Sequence, residues 1–317
     1  MALKSVLLTT YQSAFLNKSG GENEIVRFKK ELIKLNIITS IIGFESSEIN
    51  NYDNVIHFGS NIESLELIKN IKKTIKKKLF LVPNLWLTEK LSEKQINEYQ
   101  YFFNLFNYVI FKSTAERKHL EKYFKFKKII NIRSGIDAFF TKKADKSLIK
   151  KLYNLEKYVF LHGTMEKRKN QLSICKALRG LNIPFVFAGN IRENDYFNEC
   201  KNLLGKNFIY LGNLDPSENL LLSAIASCAI FIEIPLDYPG VSSLEAAYLN
   251  RPLILSDDDW SKEHFKNEYL VNTLDIKKIR NLIIEILNKK EREQFINKKF
   301  QGYTYPNCIK KLISFLN

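Results

Sequence analysis

Two carboxylates, Asp237 and Glu245, flank Gly240 within the stretch AIFIEIPLDYPGVSSLEAAYLNRPLILSD, which runs from Ala229 to Asp257. A carboxylate accepts hydrogen bonds from neighbouring hydroxyls, and the N–H groups at a helix start attract phosphate. A carboxylate, a bend, a helix start and a second carboxylate therefore suit a polyhydroxylated, phosphorylated ligand. A plainer reading fits the same residues. Ser242-Ser243-Leu244-Glu245 matches a capping box with Ser242 as N-cap, and Asp237 favours a turn before Pro239. The spacing alone leaves both readings open.

A second group is FLHGTMEKRKNQ, Phe160 to Gln171, where a buried strand ends at Gly163 and Lys167, Arg168 and Lys169 fall at an expected helix start. Cations there oppose the helix dipole by roughly 0.3–1 kcal/mol each at exposed sites, so an anion is the natural reason to keep them. A solvated basic loop is the alternative. A third group, Ser19-Gly20-Gly21-Glu22, joins the first strand to the first helix. Its glycines permit positive φ and close approach of a ligand, although the GxGxxG dinucleotide spacing is absent. Leu214, with Asn213, follows Gly212 at a strand end, where backbone groups can meet a base edge or form a simple turn. His57 and the Pro83-Asn84-Leu85-Trp86 segment also end strands and are acceptor-side candidates, with core packing as the competing role for His57 and Trp86. His119, His162 and His264 have no partner pattern and read as structural.

These groups must be positioned by an alternation of short apolar runs and longer amphipathic ones, the pattern of α/β units around parallel sheets. Strands are predicted at Ser5–Thr10, Ile37–Gly43, Asn54–Phe58, Leu79–Pro83, Tyr108–Phe111 and Lys128–Arg133, then at Tyr158–Leu161, Phe185–Ala188, Phe208–Leu211, Ala229–Ile234, Leu253–Ser256 and Tyr269–Val271. Helices are predicted at Glu22–Leu35, Ile62–Lys73, Ser92–Phe106 and Ala115–Phe124. In the second half they are predicted at Gln171–Arg179, Ser217–Ser227, Ser243–Leu249 and Ile276–Asn288. The charged FFTKKADKSLIKK segment reads as a linker near residues 140–155, giving domains at 1–145 and 146–305 and a terminal amphipathic helix at 306–317 that packs back toward the first domain. Two such domains imply a cleft at the C-terminal edges of their sheets.

With 317 residues and 45% apolar content, each domain can bury its own core. No apolar run reaches the roughly 18–20 residues of a membrane span, and the N-terminal MALKSVLLTTYQ reads as a first strand rather than a signal peptide. Cys175, Cys200, Cys228 and Cys308 form no CxxC pair and no metal-ligand spacing, which suits a reducing, cytoplasmic setting. Of the net charge of +15, +11 falls in residues 1–150. The densest patch is Lys69, Lys72, Lys73, Lys76, Lys77 and Lys78, opposite an apolar face at residues 68, 71, 75 and 79. A basic half favours an anionic partner, such as a lipid surface or a phosphorylated acceptor. No nucleic-acid motif or stacking platform accompanies it, so nucleic acid is not expected.

Taken in order, the motifs resemble glycosyltransferase family 4, retaining sugar-nucleotide enzymes of GT-B fold, in which two Rossmann-like α/β domains face each other across a cleft. HGTMEKRKN is similar to the family's strand, glycine and basic turn. DYPGVSSLEA resembles its E-x7-E motif, with Asp237 and Glu245 in the acidic places. FIYLGNL, AGN, SGGENEIVRFKKEL and NIRSGIDAFF fall in the family's order. The resemblance implies transfer from a UDP- or GDP-sugar to a glycan or lipid-linked acceptor, in surface polysaccharide or lipopolysaccharide assembly. Arg168 and Lys169 would bind the donor diphosphate, helped by the backbone near Gly163, Ser242 and Ser243. Gly20 and Gly21 would approach it from the other domain. Glu245 would hold the ribose, Asp237 with Gly240 and Val241 the donor sugar, and Leu214 the base. No cofactor and no metal are implied, and peripheral contact with anionic membrane is a further expectation. Two departures stand out: the first acidic place holds Asp rather than Glu, and Asn84 stands where many relatives carry a histidine. His57 is the substitute candidate for that histidine, and Trp86 an acceptor-pocket candidate. A catalytically inactive GT-B-like partner subunit is the alternative function. A nicotinamide or flavin oxidoreductase would need the glycine fingerprint that is missing.

Overall fold

Strands of three to five residues, most of them buried along their length, alternate with helices in the structure, a computed structural model that describes residues 4–16, 20–42, 49–75, 77–215, 217–265, 269–289, 300 and 302–316. Contacts divide the chain into two units, Met1–Gly135 with Tyr303–Asn317, and Ile136–Gly302. The sequence placed these boundaries at 145 and 305. Ser19, Gly43 and Lys76 lie outside the described residues.

In chain order the first unit holds β1 (Ser5–Thr9), α1 (Gly20–Lys34), β2 (Ile38–Ile41), β3 (Asn54–Phe58), α2 (Leu65–Thr74), β4 (Lys78–Val82), α3 (Glu93–Asn104), β5 (Tyr108–Phe111), α4 (Thr114–Glu121) and β6 (Ile129–Asn131). Its sheet is parallel, in the order β2-β1-β3-β4-β5-β6. Side chains alternate between faces along each strand. Val6, Leu8, Ile56 and Phe58 therefore pack against Ile25, Phe28 and Leu32 of α1, while Leu7, Val55, Leu79 and Leu81 meet Ile68 and Ile71 of α2 and Phe102 and Phe103 of α3. Burial on both faces explains why these strands read as continuous apolar runs. On α2 the same period leaves Lys72 and Lys73 exposed.

The second unit holds α5 (Leu148–Tyr153), β7 (Val159–His162), α6 (Gln171–Leu178), β8 (Phe185–Ala188), α7 (Asn194–Leu204), β9 (Phe208–Tyr210), α8 (Asn219–Ser227), β10 (Ile230–Glu233), α9 (Val241–Tyr248), β11 (Leu253–Ser256), α10 (Asp259–His264), β12 (Tyr269–Val271) and α11 (Ile276–Asn288). Its parallel order is β12-β11-β10-β7-β8-β9. The chain steps outward from β7 to β9, then crosses back to lay β10 on the other side of β7. That reversal makes the carboxyl ends of β7 and β10 the switch point of this sheet, where ligands of open α/β sheets bind.

The final helix, α12 (Tyr305–Ile313), belongs to the first unit, where Ile309 and Leu312 join the α1 face of the core. It comes so close to Gly135 that a Cβ there would lie 2.6 Å from the Tyr305 Cα. The Asn54 amide donates to the Leu316 carbonyl at 3.1 Å.

The segment expected to be a linker is packed. Phe140 and Ile149 are fully buried, α5 forms within it, and the Ser223 hydroxyl donates to the Asp145 carbonyl at 2.5 Å. Burying one such side chain contributes roughly 1.5–3 kcal/mol, enough to outweigh a lysine-rich composition. Helices α7 and α10 were not anticipated. Only Tyr196 and Cys200, spaced i, i+4, are buried along α7, so its apolar stripe is narrow. No described helix is long and apolar enough to cross a membrane.

His57 lies inside β3 and is fully buried, its Nδ1 2.9 Å from the Thr9 hydroxyl and its ring stacked on Phe106. The structure thus gives this acceptor-side candidate a core position. Burial lowers the imidazole pKa from 6.5 to about 3, so the ring is neutral near pH 7. Because the folded pKa lies below the unfolded one, the unfolded chain takes up the proton first as pH falls. This stability contribution is present above pH 6.5 and is lost as pH drops toward 3, by about 1.4 kcal/mol per unit. Urea denaturation of wild type and His57→Gln between pH 4 and 7 is expected to show a shallower acid loss in the variant. Parallel curves would show that His57 does not titrate this way.

Candidate functional site

At the switch point of the second sheet, the loop after β7 carries the basic residues and the loop after β10 carries Asp237. Lys167–Lys169 form a single 3-10 turn, and Asn170 ends it in the left-handed region at φ 59° before α6 begins. The cations therefore precede the helix rather than occupy its first turn. Asn170 fixes the turn from below, its amide donating to the Ile234 carbonyl at 3.1 Å and the Thr273 carbonyl at 2.9 Å. The Leu236 N–H donates to the Arg168 carbonyl at 2.8 Å, tying the two loops together.

Those ties bring Arg168, Lys169 and Asp237 into contact. Lys169 Nζ lies 3.0 and 3.1 Å from the two Asp237 oxygens, and Arg168 Nε lies 3.3 Å from Oδ2. The Asp237 side chain is only 4% exposed, whereas Arg168 is 54% and Lys169 25% exposed. Each cation thus keeps an outward side. Arg168 Nη2 also meets Glu166 at 3.2 Å, and Glu166 holds Arg192 at 2.7 Å. The Lys169 ammonium lies 5.7 Å from the centre of the Tyr238 ring. Part of the negative charge facing these cations is supplied by two buried carboxylates of the chain itself, Glu166 and Asp237.

The capping box is not formed. Gly240 is the N-cap of α9, and no side chain of the helix caps it. Ser242 and Ser243 instead donate their hydroxyls to Glu233, the last residue of β10, Ser242 at 3.0 Å, and the Gly240 N–H reaches the same carboxylate at 2.9 Å. Burial holds the Glu233 carboxyl above its ordinary pKa, against the pull of these hydrogen bonds and of the Lys169 charge. Glu245 is 2% exposed on α9. Sequence reasoning missed Glu166 and Glu233. A lone charge ending an otherwise apolar strand was the available signal for Glu233, since glutamate is almost never fully buried unless paired.

Gly163 follows β7, and its neighbour across the strand ends is Gly189, after β8, at φ +140°. The Gly163 N–H donates to the Ala188 carbonyl at 3.0 Å, and the Gly189 N–H to the Gly212 carbonyl at 2.9 Å. Leu214 follows Gly212 and is half-buried. The remaining candidates lie in the first unit. Gly20 and Gly21 are the first residues of α1; neither has positive φ, and a Cβ at either would meet nothing within 4 Å, so the conformational reason for glycine there is not used. Asn84 stands at φ 49° beside Glu24, which its amide reaches at 3.2 Å. Trp86 lies against His119, ring centres 5.1 Å apart, and His119 Nε2 accepts the Leu87 N–H. Among the described residues, no group of three His, Cys, Asp or Glu side chains is placed to hold a metal ion.

The glycine row is sharply asymmetric. A Cβ on Gly189 would lie 1.7 Å from the Gly163 carbonyl oxygen, while one on Gly163 would meet nothing within 4 Å. Gly189→Ala is expected to destabilise the protein by upward of about 3 kcal/mol through backbone clash and strain, and Gly163→Ala by less than about 1 kcal/mol. Urea midpoints of the two variants check this, and similar losses in both would show that the strand ends do not approach so closely.

Residues 143–301 match the family model described as glycosyl transferases group 1. Among solved structures, the fold resembles a sucrose-phosphate synthase from Thermosynechococcus elongatus, with a TM-score of 0.80 at 12% identity over 98% of each chain. It also resembles HepE from Anabaena in complex with UDP and glucose, with a TM-score of 0.79 at 14% identity over 99% of each chain. A glycosyltransferase from Rickettsia africae gives 0.75 at 14% identity, covering 100% of this chain and 98% of the other. The sequence has no match among curated proteins. The two parallel six-stranded sheets with their helices are the GT-B fold, and the chain belongs to the glycosyl transferases group 1 family and is a glycosyltransferase.

Proposed function

We propose that the protein transfers a sugar from a nucleoside-diphosphate donor to a glycan or lipid-linked acceptor, with retention at the anomeric carbon. The observation that carries this reading is the Arg168–Lys169–Asp237 cluster at the β7/β10 switch point, with partly exposed cations held over a buried carboxylate. A solved neighbour with UDP-glucose bound, HepE from Anabaena, supports a nucleotide-sugar donor. Breaking the anomeric bond leaves growing negative charge on the diphosphate and oxocarbenium character on the sugar. Lys169, through its third N–H, and Arg168, through its exposed guanidinium, stabilise the diphosphate. Asp237 keeps both cations aimed and faces the sugar with the Gly240–Val241 backbone. Glu245 holds the ribose hydroxyls, and Leu214 meets the base.

A leaving-phosphate oxygen takes the proton of the acceptor hydroxyl as the acceptor oxygen bonds to the anomeric carbon on the face that the diphosphate leaves. This gives retention without a separate carboxylate base. The excess positive charge of residues 1–150 supports an anionic acceptor or lipid surface, as expected of surface polysaccharide or lipopolysaccharide assembly.

A thermal-shift screen against UDP, GDP, ADP and their sugars identifies the donor; stabilisation by none of them would overturn the proposal. With that donor, Lys169→Ala is expected to lower turnover by about 10²–10³ while leaving the fold intact by circular dichroism. Turnover within about threefold of wild type would remove Lys169 from the machinery. Because the two cations supply the charge that a metal otherwise would, transfer is expected to continue in excess EDTA, and loss of activity restored by a divalent ion would refute that part.

A further inference from the structure

We propose that Glu233 is a positioning residue of this site: by binding Gly240, Ser242 and Ser243 it closes the Asp237 loop onto the first turn of α9 and decides which backbone N–H groups face an anion. The inference rests on the reading of the site as the seat of a nucleoside diphosphate.

Three donors converge on one carboxylate that is 7% exposed: the Gly240 N–H, the Ser242 hydroxyl and the Ser243 hydroxyl. Together they span the six residues from Ile234 to Pro239, so the loop that carries Asp237 is fastened at its base by Glu233. At its tip, Asp237 is fastened by Lys169 and Arg168. The fit at the base is close. A Cβ on Gly240 would lie 3.3 Å from Glu233 Oε1, so glycine lets the amide approach without pushing the carboxylate aside.

The arrangement also sorts the donors at the helix start. The Gly240 N–H is taken by Glu233, and the Ser243 N–H points to the Gly240 carbonyl at 3.3 Å. Helix geometry leaves the Val241 and Ser242 N–H groups without an intrahelical acceptor, and these are the ones presented to a phosphate. Glu233 therefore acts through others. It touches neither donor nor acceptor, and it fixes Asp237 and the first turn of α9 at the spacing that the ligand meets.

Hydrogen bonding and charge separate in two substitutions. Gln at 233 keeps an oxygen for the Gly240 N–H, and both serine hydroxyls can turn to accept from its amide. Ala removes every bond. Equilibrium binding of UDP, with GDP and ADP alongside, is measured for wild type, Glu233→Gln and Glu233→Ala, together with amide hydrogen exchange of residues 234–243. The expected result is that Ala weakens nucleotide binding by at least about tenfold and speeds exchange in that segment, while Gln binds within about threefold of wild type, or tighter, with exchange unchanged. A role in general packing would speed exchange throughout the second unit in step with the melting temperature, whereas loss of these hydrogen bonds speeds it at residues 234–243 beyond that change. Binding by the Ala variant like wild type overturns the proposal, as does a Gln variant as weak as Ala. If wild type binds none of the three nucleotides, the donor-site reading falls, and the exchange data still decide whether Glu233 closes the loop. If the Ala variant does not fold, the Ser242→Ala/Ser243→Ala double variant removes two of the three bonds; it is expected to speed exchange at residues 234–243, and unchanged exchange overturns the proposal.

Discussion

The ion pair between Asp237 and the cations of the β7 loop is the contact on which the rest of the site depends. A carboxylate exposed to only 4% would be costly to bury alone, because desolvation of an unpaired charge outweighs what packing returns. Lys169 reaches both of its oxygens and Arg168 one of them, so the charge is matched and both oxygens are engaged. The same pairing keeps two cations from turning into solvent. It joins residues nearly seventy positions apart, and it can do so only because the chain reverses direction across the sheet and sets β10 beside β7.

Around that pair the charges come in a connected series rather than as isolated bridges. Arg192 meets Glu166, Glu166 meets Arg168, Arg168 and Lys169 meet Asp237, and the field of Lys169 reaches Glu233. In such a series, each side chain ordered by one partner has less conformational freedom left to lose to the next. Glu166 and Glu233 are both buried, and both act on neighbours: one orients guanidinium groups, the other fastens a loop and a helix start. The site is shaped from behind by carboxylates and presents cations outward, a suitable polarity for a leaving group that gains negative charge.

The first unit shows a different use of buried polar groups. Glu24 pairs with Lys112 at 2.9 Å and accepts from Asn84, while Glu116 accepts the Lys112 N–H at 2.8 Å. Burial raises the Glu116 carboxyl to about 7 despite the Lys112 charge, and its Oε1 has no partner among the described residues. These groups come from α1, α4 and the ends of β4 and β5, so the carboxyl edge of this sheet is polar as well. His57, one strand over, is held neutral by burial instead.

The sequence by itself determined the parallel α/β class and most of the strands, and it singled out Arg168, Lys169 and Asp237, which the structure brings together. Apolar runs of strand length and glycines at their ends are local signals, and strands buried on both faces keep them clear. It also ordered the motifs well enough to suggest the family. The partners were not legible. Whether Ser242 caps a helix with Glu245 or serves Glu233 depends on where β10 ends relative to α9, and nothing local separates the two. His57 looked like a strand-end candidate because sequence cannot say that Phe102 and Phe106 enclose it. The lysine-rich stretch around residue 145 read as a linker because two buried side chains, Phe140 and Ile149, outweigh its composition only once a core exists to receive them. Tertiary structure decided these points for one reason: burial and charge pairing are relations between distant residues, and a linear pattern records only one member of each pair.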